Sequence, residues 1–123
     1  VILVDSNILI YAAGPEYEFL RRLICSEDVA VSILSRIEVL GYHRLLPPER
    51  DLLEQLFAAI TVLPVSDDIA ERAVALRQQR RISLGDSVIA ATALVEGLTL
   101  VTHNTGDFDW IEGLELEDPL ARS

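Results

Sequence analysis

GDSVIAATALVEGLTLVT, residues 85–102, is the stretch that decides the fold. Its first part, 85–97, is apolar almost all the way round, with no polar stripe to face water, and reads as a central buried helix. LTLVT (98–102) is a short apolar run, the pattern of a strand covered on both faces. A buried helix leading into a buried strand is the signature of a layered α/β domain.

The same alternation extends outward in the sequence. VILV (1–4), VAVSI (29–33) and ITVLPV (60–65) read as further strands. Asp5 or Ser6 can cap a helix running to about Ala13, ended by Gly14 and Pro15. Residues 15–26 form a second helix with Phe19, Leu20, Leu23 and Ile24 inward. Residues 35–46 form a third, capped by Ser35 and ended by Pro47-Pro48. Residues 48–60 carry Leu52, Leu53, Leu56, Phe57 and Ile60 on one stripe, and 67–80 opens on Asp67 and Asp68 at the positive end of a helix dipole. Strands alternating with helices imply a central parallel sheet covered on both faces, so 1–123 is expected to be one α/β domain.

The chain is 123 residues long and half hydrophobic, enough to bury a core and too apolar for disorder. Cys25 is the sole cysteine, which excludes an internal disulfide and a cysteine-built zinc site and suits a reducing compartment. No segment has the ~20 apolar residues of a membrane helix, and the start lacks a basic leader, so a cytoplasmic protein is expected. All ten basic residues are arginine. Against twenty acids they leave a net charge of −10, which argues against bulk electrostatic capture of nucleic acid but not against an enzyme whose acids hold metal ions.

In open parallel sheets, ligands bind beyond the carboxyl ends of the strands. Asp5 follows the first strand there, and Asp107 follows the fourth by one short loop. Glu38, in the first turn of the helix after the second strand, and Asp86, at the mouth of the apolar helix, are candidates to join them. Each has a plainer reading: Asp5 as a cap, Glu38 as a first-turn acid, Ser83-x-x-Asp86 as a capping box, Asp107 and Asp109 as loop acids. Together they make a different case. Four carboxylates in one cleft repel strongly unless protonated or bridged by a divalent cation, and oxygen-only ligands favour Mg²⁺ or Mn²⁺. Such a cluster suits two-metal phosphodiester hydrolysis.

VDSNILIYA at the start, Glu38 in SRIEVLG, LGDSVIAATAL at 84–94 and LVTHNTGDF at 100–108 together resemble the PIN-domain ribonucleases, and among them the VapC-type toxins of bacterial toxin–antitoxin pairs. The resemblance spans nearly the whole chain in the family's order. It implies a three-layer α/β/α fold and an Mg²⁺- or Mn²⁺-dependent endoribonuclease. Asp5, Glu38, Asp86 and Asp107 would be the catalytic, metal-binding acids, supported through hydrogen bonds by Asn7, Thr102 and Asn104. It also implies a homodimer, an RNA substrate and a cognate antitoxin partner.

Asp109 competes with Asp107 for the fourth position, and the spacing to Asn104 and Phe108 favours Asp107. His103 could serve as a base, but metal-activated water needs none. Arg77, Arg80 and Arg81, at helical spacing, and Arg36 beside Glu38 are candidates to hold RNA phosphates, against the plainer reading of a solvated arginine face. Tyr11 and Tyr42 could stack on bases, and read first as packing residues. A receiver domain would need a late lysine, and this chain has none. A haloacid-dehalogenase-type phosphatase would need Asp-x-Asp where Asp5-Ser6-Asn7 stands. A PIN-like module that binds RNA or protein without cutting is the remaining alternative.

Overall fold

The computed structural model describes residues 1–26 and 28–121; the last two residues of the expected 1–123 domain lie outside the described residues. Its strands are β1 (Ile2–Val4), β2 (Val29–Ser32), β3 (Thr61–Leu63), β4 (Thr99–Val101) and β5 (Leu116–Glu117). Its helices are α1 (Ser6–Ala12), α2 (Glu18–Ser26), α3 (Ile33–Leu40), α4 (Pro47–Ala59), α5 (Asp67–Gln79) and α6 (Leu84–Glu96), with a 3-10 turn at Thr105–Asp107.

The sheet order is β3-β2-β1-β4-β5, with every pair parallel. Strand alternation sends side chains to two cores. Leu3, Ala30 and Leu100 face α5 and α6, joining Ile69, Leu76 and Ile89. Val4, Val31 and Val101 face the other way, joining Leu9 of α1, Ile24 of α2, Val39 of α3 and Phe57 of α4. Residues Ser87 to Ala93 of α6 are all buried, as the unbroken apolar pattern requires. The helix ends where Gly97 takes a left-handed φ of 68°, a conformation that favours glycine.

The order reverses direction between β1 and β4, which makes their carboxyl ends the topological switch point of the sheet, where such folds form a crevice. Among the described residues no helix is long and apolar enough to cross a membrane.

Several boundaries depart from the sequence-based expectation. The cap of helix α3 lies three residues earlier than Ser35: the Ser32 hydroxyl accepts the Leu34 N–H at 3.1 Å and caps the helix from the end of β2. It stops at Leu40 with Gly41 as its C-cap, a position where any Cβ would collide with the Ile37 carbonyl, and the expected continuation to residue 46 is turn and loop. Pro47-Pro48 does not end that helix but opens α4, where missing N–H groups cost nothing. Phe19 was expected inward and is 50% exposed. The expected four strands become five, since Leu116 and Glu117 add β5 beside β4.

Candidate active site at the switch point

Asp5 lies at the end of β1, only 5% exposed. Its Oδ1 accepts the Ser6 N–H at 2.7 Å, and its Oδ2 accepts the Thr102 hydroxyl at 2.8 Å. The Asp5 N–H donates to the Val101 carbonyl at 2.9 Å, and the Thr102 hydroxyl oxygen accepts the Asn104 N–H at 3.1 Å. The ends of β1 and β4 are thereby stitched together around one carboxylate. Asp5 is thus the helix cap of its plainer reading, with a second oxygen committed to Thr102.

Glu38 stands in the second turn of α3, not the first, so attraction to the helix dipole explains it less well. It is exposed, and its Oε1 accepts the Ser6 hydroxyl at 3.1 Å. Its Oε2 lies 3.3 Å from where a Cβ on Gly85 would stand, so glycine there leaves room for Glu38 beside the start of α6. The Asp86 N–H donates to the Ser83 hydroxyl at 3.1 Å, capping α6 and fixing Asp86 in its first turn. Asp107 closes the 3-10 turn, exposed, and its carbonyl accepts the Trp110 indole N–H at 2.9 Å.

The acids act on one another. Burial raises the Asp5 carboxyl above its ordinary value of 3.8; hydrogen bonds from Thr102 and Ser6 oppose this, and Asp86 and Glu38 add to it. Burial likewise raises Asp86, reinforced by Asp107 and by Glu38 and opposed by Ser83. Asp107, and not Asp109, is the tail acid whose charge reaches Asp86.

Thr102 bonds Asp5 as expected, and Asn104 contributes through its backbone. Asn7 makes no such bond: both polar atoms of its side-chain amide are buried without a hydrogen-bond partner. Arg77 and Arg81 are exposed, and Arg80 lies over the Trp110 ring at 4.9 Å. Arg36 lines a separate groove with Leu40, Glu54 and Phe57, which none of the four acids lines. The role of Trp110, tying Asp107 to the arginine-bearing end of α5, was missed from sequence, where its spacing of three from Asp107 was the one available signal.

Among the described residues no three acidic, histidine or cysteine side chains sit tightly enough to hold a cation in common. The donor chemistry nevertheless fits a hard divalent ion. The mutually repelling groups are all carboxylates, and two buried, unpartnered amide atoms of Asn7 lie two residues beyond Asp5.

The PIN domain family matches residues 2–113. The chain belongs to this family. It is 35% identical over 136 aligned positions to Ribonuclease VapC10 of Mycobacterium tuberculosis, covering 98% of this chain and 94% of that protein. It is 29% identical to the tRNA(fMet)-specific endonuclease VapC of Shigella flexneri, covering 94% and 96% of the two. A toxin–antitoxin complex from Klebsiella pneumoniae superposes with a TM-score of 0.76 at 32% identity, covering 97% of this chain and 98% of that one.

The electrostatics of this PIN domain give a stability prediction. A carboxyl whose pKa is raised by folding holds its proton more tightly in the folded state. Its contribution to stability is full below the unfolded pKa and is lost as pH rises through the folded one. In the metal-free protein Asp86→Asn therefore raises the melting temperature at pH 7 by about 1–3 °C. It also flattens the loss of stability between 3.8 and the raised Asp86 value. Thermal melts in EDTA across pH check this, and a lower melting temperature would make Asp86 a structural cap.

Proposed function

We propose that this chain is a metal-dependent endoribonuclease, the toxin of a type II toxin–antitoxin pair, acting in the cytoplasm as a homodimer under the control of a cognate antitoxin. Residues 1–123 act as a single domain in this reading. The observation that carries it is that Asp5, Glu38, Asp86 and Asp107 lie within electrostatic reach of one another at the switch point of a PIN sheet, with Asp5 and Asp86 raised by burial and by their neighbours. The likeness to Ribonuclease VapC10 supports RNA as substrate, and the likeness to the Klebsiella pneumoniae complex supports an antitoxin partner.

Asp5, Asp86, Glu38 and Asp107 hold Mg²⁺ or Mn²⁺ in this reading. Bound there, the ion supplies Lewis acidity that makes water a competent nucleophile near neutral pH and offsets charge on the phosphoryl oxygens. The chain's own part is orientation. Thr102 and the Ser6 N–H fix the Asp5 carboxylate from both sides, so its direction is set before substrate arrives. The Ser6 hydroxyl does the same for Glu38, and the Trp110 indole holds the turn that carries Asp107. Arg77, Arg80 and Arg81 are the phosphate contacts of the proposal, with Arg36 more peripheral in its own groove.

Incubation of the purified chain with mixed RNA should give cleavage with Mg²⁺ or Mn²⁺ and none in EDTA. Fragments appearing equally in EDTA would overturn the metal mechanism.

A further inference from the structure

A cavity of about 500 Å³ opens between the C-terminal end of α1 and the segment after β5, lined by Tyr11, Tyr17, Phe19, His103, Pro119 and Leu120. It lies against the switch point. Tyr11 is one helical turn beyond Asn7, and His103 directly follows Thr102, the residue bonded to Asp5.

Its walls are aromatic and set at angles to one another. The Tyr11 and Tyr17 rings are 5.3 Å apart at 55°, Tyr11 meets His103 edge-on at 5.6 Å and 89°, and Tyr17 and Phe19 are 6.0 Å apart at 48°. His103 is held in place, its Nδ1 at 3.1 Å from the Asp118 carboxylate. The Arg21 guanidinium ties α2 to the end of α1 by donating to the carbonyls of Ala12 at 2.7 Å and Gly14 at 2.8 Å. Its charge is therefore spent on backbone.

We infer that this aromatic pocket is a nucleobase subsite, taking an unpaired base of the RNA that flanks the scissile phosphate. The inference rests on the ribonuclease reading and adds how substrate is held. The volume lies in the range of small-molecule sites, ~300–1,000 Å³. Tilted aromatic rings offer faces to a base, while two phenol hydroxyls and an imidazole offer edges to its polar groups. The charge balance points the same way. A chain of net charge −10 limits what its few arginine–phosphate contacts contribute, and stacking on a neutral aromatic surface adds affinity that charge repulsion does not cancel. Tyr11, read from the sequence first as packing, thus has an open cavity beside it.

The test uses a single-stranded RNA that the wild type cleaves, with 2-aminopurine placed in turn at each position around the cut. Binding is read in EDTA as fluorescence quenching, and cleavage with Mg²⁺ gives KM and kcat. Quenching at one position is expected, and Tyr17→Leu should abolish it while raising KM about ten-fold with a smaller change in kcat. That factor should be the same at low and high salt, as a stacking contact requires and a phosphate contact does not. Phe19→Ala, at a half-exposed rim position, gives a second measurement should Tyr17→Leu melt early. Val65→Ala, at an exposed apolar side chain outside the pocket, should change neither reading. Absence of quenching at every position, or KM unchanged in both pocket variants, overturns the subsite while leaving the ribonuclease standing. Unchanged RNA handling with weaker inhibition by the cognate antitoxin would make it a protein-docking site instead. Failure of the wild type to cut any RNA would sink the ribonuclease reading itself, and this one with it.

Discussion

Asp5→Asn lowers the rate of metal-dependent RNA cleavage by about 10³-fold or more. Asparagine matches the shape of aspartate, so the loss isolates charge. The new amide oxygen can still accept the Ser6 N–H, while its nitrogen faces a Thr102 hydroxyl that now donates to Asp5. One hydrogen bond is weakened, but an ionised group 5% exposed is no longer held against its desolvation. The opposing effects leave folding stability within about 1 kcal/mol of wild type. Wild type and variant, purified identically, are compared for cleavage with Mg²⁺ and for thermal melting in EDTA. Equal activity in both would mean a contaminating nuclease. A folded variant that binds RNA as before, beside a wild type that never cuts it, would favour a non-catalytic module.

Phe108→Ala destabilises the protein by about 3–5 kcal/mol. Phe108 is 1% exposed and sits with Ile111 in the core beneath α6, immediately after the turn that carries Asp107. Truncation opens a cavity in the core that also holds Ala90 and Leu100, and a closely packed interior collapses only in part. That is a large part of a domain's usual margin of about 5–15 kcal/mol. Urea unfolding monitored by circular dichroism should show a much lower midpoint with an unchanged slope. Phe108→Leu should recover most of the loss. A midpoint shift under about 1 kcal/mol for the alanine variant would mean that the aromatic ring is not part of the core.

The sheet and most helices were legible because burial on two faces writes continuous apolar runs, as in VILV and LTLVT, and burial on all sides writes a helix like α6 without a polar stripe. Local chemistry decided the departures. From sequence Ser35 reads as the cap of α3, and only the end of β2 shows that Ser32 is the serine that meets a free N–H. Two prolines can end one helix or begin the next, and α4 takes the second option. Strand β5 is two residues long and lies in an acidic tail, so its pairing with Leu100 and Val101 leaves almost no pattern.

At the site, the position of Asp5 after a strand and of Asp86 at a buried helix mouth could be read directly. The aromatic pocket could not. His103 comes from a part of the chain distant from Tyr11 and Tyr17 and meets Tyr11 only in the folded structure.

Strand β1 finds one of its neighbours, and Asp5 its hydroxyl partner, 97 residues further along the chain. A ribosome needs several seconds to cover that distance. Throughout that time the nascent protein has Asp5 in hand but neither Thr102 to orient it nor Asp107 to complete the acids. On the proposed reading, a product released before residue 102 would lack both the Thr102 contact to Asp5 and the fourth acid, and would not cut RNA.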